Sequence, residues 1–346
     1  MTKTASKTPI TEPMTLADKV LHAYGLEYSR ILTPQKGYRN QSFPVVLASG
    51  EMRNLILYKR EPGIVKRIKA ANAVSDFLAG QNFPTRQTAD ERIIKLDSGS
   101  GRPAQYGALY SYLDGHTIPW EAYTQDHIKA LGEMMGNMHA ALAAFPPRAA
   151  DSLPAVTDEY LAIVARMKRY FGEAPVQRSL GQKLQLAVGL ERLEYFEQLL
   201  VGANMLPGQQ ALHMDFVRGN ILFVREPVEE SGPRITGILD FEKTAYGHPL
   251  MDVARTLAFL YIDCKYKPEE KVRKYFLGSG YAKRSAAPLP ARLSAALLGP
   301  LVDLFLCYDF YKFLRHNPYE SLRQNEHFVR TRDMLLARGV VTSSTP

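Results

Sequence analysis

The stretch ALHMDFVRGNILF, residues 211–223, limits the folds open to this 346-residue chain more than any other feature. Apolar residues at both of its ends enclose four polar side chains, those of His213, Asp215, Arg218 and Asn220. A strand or helix that only filled a core would not contain so many polar groups, because each of them needs a partner when it is buried. The stretch is therefore predicted to be a polar loop between two short buried elements.

A second apolar run, ITGILDF at residues 235–241, follows after a polar turn and is predicted to pair with the first as a hairpin. Asp240 lies within this run and not in the turn, so its carboxylate should need a partner. Asp215, Asn220 and Asp240 would then converge. Two carboxylates and an amide oxygen suit a hard divalent cation such as Mg²⁺.

The pattern of apolar residues changes near residue 115, from strand-like to helical. Thr15 and Gly25 are typical of the start and end of a helix, and strand-like runs separated by turn residues follow up to about residue 113. Beyond that point, segments with helical spacing of apolar residues predominate, for example 126–145 and 249–262. The pattern predicts an α+β protein with a small sheet-containing part and a larger helical part.

Composition, charge and missing motifs argue against several classes of protein. The chain is 46% hydrophobic, has a net charge of +8, and has no apolar run near the ~20 residues that a membrane span requires. Net charge is +7 over residues 1–110, −5 over 111–244 and +6 over 245–346. No nucleic-acid or membrane partner is predicted, and the two cysteines favour a reducing cytoplasm. The sequence also lacks a P-loop, a zinc-spaced Cys/His cluster and a G-x-S-x-G motif.

The paired motifs H-M-D-F-V-R-G-N at 213–220 and I-L-D-F at 238–241 resemble those of the aminoglycoside phosphotransferase and choline kinase family, over residues 15 to 335. The resemblance implies a bilobal protein-kinase-like fold, with a small antiparallel β-sheet lobe followed by a mainly helical lobe. The domains expected on this basis are a flexible tail (1–14), a nucleotide-binding lobe (15–110), a hinge (111–115) and a helical lobe (116–346).

The same resemblance assigns roles to individual residues. Asp215 would orient and deprotonate the attacking hydroxyl, Asn220 and Asp240 would bind Mg²⁺, and His213 and Asp252 would support the catalytic loop. ATP, with GTP as an alternative, would be bound by a phosphate loop, a strand-end lysine and the hinge backbone; the residues implied are Gly37, Asn40, Ser42, Lys59, Ser111, Tyr112 and Leu113.

The chain departs from the family pattern at three places. The small-lobe helix offers Lys59 no glutamate, only Asn72 or Asp76. Val217 stands two residues after Asp215, where relatives often have a polar or basic residue, and Arg218 beside it is a candidate phosphate contact. His248 stands where the family often has an acidic residue. None of these departures removes the central constellation of Asp215, Asn220 and Asp240.

The predicted function is a small-molecule kinase. Only seven residues separate Phe241 from Pro249, too few for the activation segment of a protein kinase. The basic C-terminal part favours a neutral or anionic acceptor, such as a sugar, amino alcohol or hydroxy amino acid, over a polycation. An aminoglycoside or macrolide phosphotransferase and a non-catalytic nucleotide-binding regulatory protein remain as alternatives. Candidate acceptor contacts are Tyr308, Asp309 and Tyr311.

Overall fold

The computed structural model of the protein describes residues 15–36, 40–96, 104–224, 232–284 and 291–344. Within these ranges no helix is long and apolar enough to cross a membrane. The chain divides into two compact units, Met1–Ile68 with Arg86–Tyr112, and Lys69–Thr85 with Leu113–Pro346. The division after Tyr112 falls inside the segment 111–115 that the sequence proposes as a hinge, whereas the proposed tail 1–14 lies outside the described residues.

The first unit is built on an antiparallel sheet of six strands, in the order β1-β3-β4-β6-β5 with β2 paired to β3. The strands are β1 (Tyr28–Ile31), β2 (Gln35–Lys36), β3 (Gln41–Leu47), β4 (Met52–Tyr58), β5 (Ile94–Leu96) and β6 (Gln105–Ser111). Helices α1 (Leu16–Tyr24) and α2 (Ile64–Gly80) accompany them, and α2 continues into the second unit.

Strand β4 shows why both faces of this sheet are covered. Successive side chains of a strand point to opposite faces. Leu55 and Leu57 pack with the buried residues of α1, whereas Ile56 and Tyr58 pack with the first turns of α2. The ends of α1 match the sequence prediction, since Thr15 forms a capping box with Asp18 and Gly25 closes the helix at φ 70°.

The second unit is mainly helical. Its helices are α3 (Gln125–Leu142), α4 (Pro147–Ala150), α5 (Val156–Gly172), α6 (Ala174–Ser179), α7 (Leu190–Asn204), α8 (Pro249–Asp263), α9 (Glu269–Arg273), α10 (Ala282–Arg284), α11 (Ala291–His316), α12 (Tyr319–Leu322) and α13 (Glu326–Ala337). Single π-helical stretches occur at Leu180–Leu184 and Lys274–Tyr281. One hydrophobic core joins the buried faces of α3, α5, α7, α8, α11 and α13. The two units together give the α+β class that the sequence predicts.

Short strands interrupt these helices: β7 (Leu186–Ala187), β8 (Gln210–Leu212), β9 (Ile221–Phe223), β10 (Ile235–Ile238), β11 (Ala245–Gly247) and β12 (Thr342–Ser343). They form three antiparallel pairs, β9 with β10, β8 with β11 and β7 with β12. The predicted pairing of the two apolar runs is therefore present as the β9–β10 hairpin.

Two glycines let α3 lie directly against the π-helical stretch Lys274–Tyr281. A Cβ atom on Gly280 would lie 2.6 Å from the carbonyl oxygen of Lys129, and one on Gly132 would lie 2.1 Å from that of Phe276. Real Cβ atoms do not approach backbone oxygens this closely, so larger residues would force the two elements apart. This close contact places Tyr281 beside His139, with 2.8 Å between its hydroxyl and the His139 Nδ1 atom.

Candidate active site

Two strand pairs bring the segments 213–220 and 239–244 side by side. At one end Leu212 of β8 is opposite Ala245 of β11, and at the other end Ile221 of β9 is opposite Ile238 of β10. The Leu239 N–H also donates to the carbonyl of Asn220 at 2.8 Å. Because each segment is fixed at both of its ends, their polar side chains have little freedom to separate.

The Asp215 carboxylate is the centre of this arrangement and is only 6% exposed. The Asn220 amide nitrogen donates both to the Asp215 carbonyl at 2.9 Å and to its Oδ2 atom at 3.1 Å. The Lys243 ammonium donates to Oδ1 at 2.7 Å. Hydrogen bonds with an ionised partner are stronger than neutral ones. The carboxylate is therefore held by both of its oxygens.

Asn220 and Asp240, the predicted metal ligands, lie on these facing segments. Since the Asn220 Nδ2 atom donates to Asp215, its Oδ1 atom is the oxygen left to act as a ligand. Asp240 is half-buried and has a left-handed backbone, with φ 59°. Such a backbone costs a non-glycine residue energy and often occurs at functional sites. An amide oxygen and a carboxylate are ligands that Mg²⁺ accepts. No group of three or more His, Cys, Asp or Glu side chains able to hold a metal occurs among the described residues.

Asp252, on the first turn of α8, fixes the backbone that leads into Asp215. Its fully buried carboxylate accepts hydrogen bonds from the backbone N–H groups of His213 at 2.8 Å and Met214 at 2.9 Å. The His139 Nε2 atom lies 3.2 Å from the same carboxylate. Burial by itself would raise the pKa of Asp252, but the hydrogen bond and charge of His139, together with the backbone N–H of His213, leave that pKa below its usual value.

His213 stabilises the loop as a neutral imidazole. Its Nδ1 atom accepts the Asp215 N–H at 3.1 Å, so its proton is on Nε2, which donates to the Leu239 carbonyl at 3.1 Å. The ring thus links the two facing segments. Burial lowers the pKa of His213, although the nearby carboxylates of Asp252 and Asp215 oppose that shift. The role of His213 in supporting the site during catalysis stays a prediction.

Arg218 lies next to an acidic residue of α8. Its Nε atom lies 3.5 Å from the Asp263 carboxylate at the end of α8. Burial raises the pKa of Asp263, and the charges of Arg218 and His327 partly offset that rise. Arg218 is therefore part of an ion pair that connects the loop of Asp215 to α8, and a contact with phosphate remains a prediction.

The three candidate acceptor contacts on α11 have different surroundings. Asp309 accepts two hydrogen bonds from the buried guanidinium of Arg255, at 2.9 and 3.2 Å, and its Oδ1 atom lies 2.6 Å from the Lys312 ammonium. Burial opposes ionisation of Asp309, but the Arg255 and Lys312 charges dominate and lower its pKa to about 2. Tyr311 is buried, and its hydroxyl accepts from Arg315. Tyr308 is half-buried; burial raises its pKa, and Arg255 and Lys243 are among the charges that lower it.

In the first unit, Lys59 follows β4 and has an exposed side chain, whose Nζ atom lies 4.0 Å from the Glu61 carboxylate. The Lys59 N–H donates to the Asn40 side chain at 3.1 Å. The Ser42 hydroxyl donates to Asn54 at 2.7 Å on the neighbouring strand. Gly37 lies outside the described residues.

Of the three hinge candidates, Ser111 is the last residue of β6, and it exchanges two hydrogen bonds with Gln87. Tyr112 and Leu113 follow it, half-buried, one on each side of the boundary between the units. None of these placements tests nucleotide binding, which stays a prediction for all of the first-unit residues.

Comparison with known proteins decides the family. A model of the phosphotransferase enzyme family matches residues 31–286. The chain belongs to this family. It is 24% identical over 276 residues to hydroxylysine kinase of Mus musculus, which covers 75% of this chain and 72% of that protein. It is also 24% identical over 208 residues to homoserine kinase of Zymomonas mobilis subsp. mobilis, covering 60% and 57%.

Solved structures confirm the predicted fold of this phosphotransferase. An amicoumacin kinase in complex with AMP-PNP, Ca²⁺ and Ami superposes with a TM-score of 0.69 at 14% identity, covering 96% of both chains. A microcompartment-associated aminopropanol kinase gives 0.60 at 13% identity, covering 93% of this chain and 98% of that one. The predicted enzyme class, an ATP-dependent phosphotransferase with an alcohol acceptor, is confirmed by the family and the kinase relatives.

Sequence inspection of the phosphotransferase missed one charged residue at the site, Lys243. It lies three positions after Asp240, in a run that is otherwise notable only for the D-F motif. The one signal available was Val217, which is apolar where the family resemblance leads us to expect a polar or basic residue. On the facing segment, the Lys243 ammonium contacts Asp215 from across the strand pairs.

Proposed function

We propose that this phosphotransferase transfers the γ-phosphate of ATP to a hydroxyl of a small neutral or anionic acceptor. The observation that carries the proposal is the alignment of segments 213–220 and 239–244, which assembles Asp215, Asn220 and the segment of Asp240 in one unit. Phosphoryl transfer needs mainly positioning and charge neutralisation, and these residue types in this arrangement fit both needs.

In the proposed reaction Asp215 accepts a hydrogen bond from the acceptor hydroxyl and then takes its proton. The acceptor oxygen forms a bond to the γ-phosphorus as the bond from that phosphorus to the bridging oxygen breaks, which releases ADP. The Asp215 carboxylate is suited to this task because Asn220 and Lys243 fix its two oxygens. The backbone carbonyl of Asp215 also accepts a hydrogen bond from the Asn220 amide nitrogen, so Asp215 cannot easily rotate away.

A divalent cation, proposed to be Mg²⁺, would be bound by the Oδ1 atom of Asn220 and the carboxylate of Asp240, and would neutralise phosphate charge. The orientation of the Asn220 amide supports this assignment, since its nitrogen is already used by Asp215. The amicoumacin kinase complex contains Ca²⁺ with AMP-PNP, which agrees with the use of a divalent cation and a nucleotide in this family.

The proposed nucleotide contacts lie in the first unit. Lys59 would bind phosphate oxygens as a point charge, and its exposed ammonium, 4.0 Å from Glu61, has the freedom to do so. The Asn40 side chain accepts the Lys59 N–H, which keeps these two proposed phosphate contacts side by side. The backbone of 111–113 is the proposed adenine contact.

The acceptor is proposed to be neutral or anionic because of the surroundings of Asp309. A site for a polycation requires unneutralised carboxylates, whereas Arg255 and Lys312 both already contact Asp309. The net charge of +6 over residues 245–346 points the same way. Hydroxylysine, homoserine and aminopropanol appear in the names of two relatives and one solved structure. They are small hydroxyl compounds with at most one net positive charge, so they support a small acceptor that is not a polycation.

A reducing location in the cytoplasm is proposed as well. The chain has two cysteines, Cys264 and Cys307, and both are buried free thiols. Buried thiols of this kind persist where disulfide formation is disfavoured.

The test is nucleotide consumption by the 346-residue chain with Mg²⁺ and either ATP or GTP, over a panel of hydroxy amino acids, amino alcohols, sugars, aminoglycosides and macrolides. We expect acceptor-dependent turnover with a member of the first three groups. Strong turnover of an aminoglycoside would overturn the charge argument. Nucleotide binding with no turnover of any acceptor would favour the regulatory alternative.

Two substitutions test the residue roles. Asp215→Ala should fold, because the partly exposed Lys243 can turn to water, but should lose about 10²–10⁴-fold in kcat. Asp240→Ala should lose metal-dependent turnover. Asp333→Ala, at an exposed position on α13, is the control and should retain full activity. Near wild-type turnover in Asp215→Ala would contradict the assignment.

A further inference from the structure

Lys243 has a partner that its position in the sequence does not suggest. Its ammonium donates to the Asp215 Oδ1 atom at 2.7 Å, and its side chain is 39% exposed, so it is not confined to the core. An ammonium has three protons, and this bond uses one of them. The other two can reach a group that binds beside Asp215.

The backbone of Lys243 is fixed relative to Asp215. Lys243 ends a single 3₁₀ turn, Phe241–Lys243, that begins directly after Asp240. The Phe241 ring is buried 4.5 Å from the His213 ring, and the Thr244 hydroxyl donates to the Leu212 carbonyl at 2.7 Å. The turn is thus anchored on both sides. It places the proposed metal ligand Asp240 at one end and a lysine at the other.

The catalytic loop has no cation of its own facing the reaction. Val217 is apolar, and the Arg218 guanidinium lies against Asp263. A phosphoryl group in transfer carries negative charge on its non-bridging oxygens, and here it would meet the Asp215 carboxylate. A positive charge next to both would relieve that repulsion, and the facing segment provides one.

We propose that Lys243 is a catalytic residue that donates hydrogen bonds at once to Asp215 and to the phosphoryl group during its transfer. This inference rests on the proposed function. The acceptor oxygen must contact Asp215 in order to pass on its proton, and the phosphorus that it attacks lies one bond farther on. A lysine bonded to Asp215 is therefore within reach of the phosphoryl oxygens. Lys243 remains an ammonium throughout, while the acceptor proton goes to Asp215 and the bridging oxygen leaves with ADP.

Binding of an anionic group of the acceptor is the competing role for Lys243. The two roles differ in what a substitution changes. A phosphoryl contact that forms in the transition state contributes to kcat, whereas a contact with bound acceptor contributes to its KM. A phosphoryl contact is also needed when water is the acceptor, so the slow hydrolysis of ATP without acceptor should depend on it.

The test compares Lys243→Met and Lys243→Arg with a matched control, Lys168→Met. Lys168 also donates to a carboxylate, that of Glu197 at 3.0 Å, and its side chain is 30% exposed, but it lies on α5 with its partner on α7. We expect Lys243→Met to lose about 10²–10³-fold in kcat for both transfer and acceptor-free hydrolysis, as when one transition-state donor is removed. The acceptor KM should change by less than about threefold. Lys243→Arg should recover part of the lost rate. The control Lys168→Met should keep the wild-type rate.

A binding measurement gives a readout other than turnover. By calorimetry, Lys243→Met should bind AMP-PNP with Mg²⁺ as the wild type does. It should bind ADP with aluminium fluoride, which mimics the phosphoryl group in transfer, about 100-fold more weakly. Unchanged kcat and unchanged aluminium fluoride binding, or a raised acceptor KM at constant kcat, would refute the proposal. If the wild type consumes no nucleotide with any acceptor, the proposed function fails, whereas the aluminium fluoride comparison still tests Lys243.

Discussion

A 2.9 Å hydrogen bond joins the Asp252 carboxylate to the backbone N–H of Met214, the residue that precedes Asp215. Met214 has a left-handed backbone, with φ 60°. The second oxygen of Asp252 accepts the N–H of His213 and lies 3.2 Å from His139, whose other nitrogen is next to Tyr281. A chain of polar contacts from the helical core thus determines the conformation of the loop on which Asp215 is carried.

Asp252→Ala should lower the free energy of unfolding by about 3–5 kcal/mol, because it leaves two backbone N–H groups and His139 without their buried acceptor. Urea denaturation followed by circular dichroism measures this change. The exposed substitution Asp333→Ala should stay within about 0.5 kcal/mol of the wild type. A small effect at Asp252 would mean that α8 does not restrain the loop.

At Met214, glycine should be tolerated better than alanine. Both substitutions remove the buried Met side chain, but only glycine adopts φ 60° without a steric cost, which is about 1 kcal/mol for other residues. In urea denaturation, Met214→Gly should therefore be the more stable variant by about this amount. The reverse order would show that the backbone at 214 is not left-handed in solution.

Acidification should destabilise the fold through His213. Burial lowers the pKa of His213 below the unfolded value of 6.5, so the unfolded chain binds more protons as the pH falls below that value. Stability that is present above pH 6.5 is then lost, at up to about 1.4 kcal/mol per pH unit, as the pH falls towards the folded pKa. NMR titration of the imidazole should find a midpoint below 6.5. A midpoint above 6.5 would mean that the nearby carboxylates outweigh burial, and would contradict the expected loss of stability.

Substitutions at Asp309 and Tyr308 should distinguish a structural role from an acceptor-binding role on α11. Asp309→Ala leaves the buried Arg255 guanidinium without its carboxylate and should cost about 3–5 kcal/mol of stability. Tyr308→Phe removes only a hydroxyl at a half-buried position, so any effect should be on the acceptor KM. Thermal unfolding and steady-state kinetics of the two variants distinguish the cases. An Asp309→Ala protein that is fully stable but has a raised KM would make Asp309 an acceptor contact.

The sequence predicts that the segments of Asp215, Asn220 and Asp240 lie side by side, because the elements that align them are local. Asp215 and Asn220 are five residues apart in one loop, and the apolar runs around them specify the strands that align this loop with Asp240. The ends of α1 were also predictable, since Thr15 and Gly25 act on their own turns. The environment of Asp309 was not, since Arg255 is 54 positions away on another helix.

By itself, then, the sequence determined the α+β class, the family motifs and the order of Asp215, Asn220 and Asp240, because periodicity, capping and short spacings act within a few residues. Only the tertiary structure decided that Lys243 contacts Asp215, that Asp252 fixes the backbone of residues 213 and 214, and that Arg218 turns to Asp263. These contacts join residues 28 to 45 positions apart. Their geometry depends on how the strand pairs and helices pack, which no local pattern encodes.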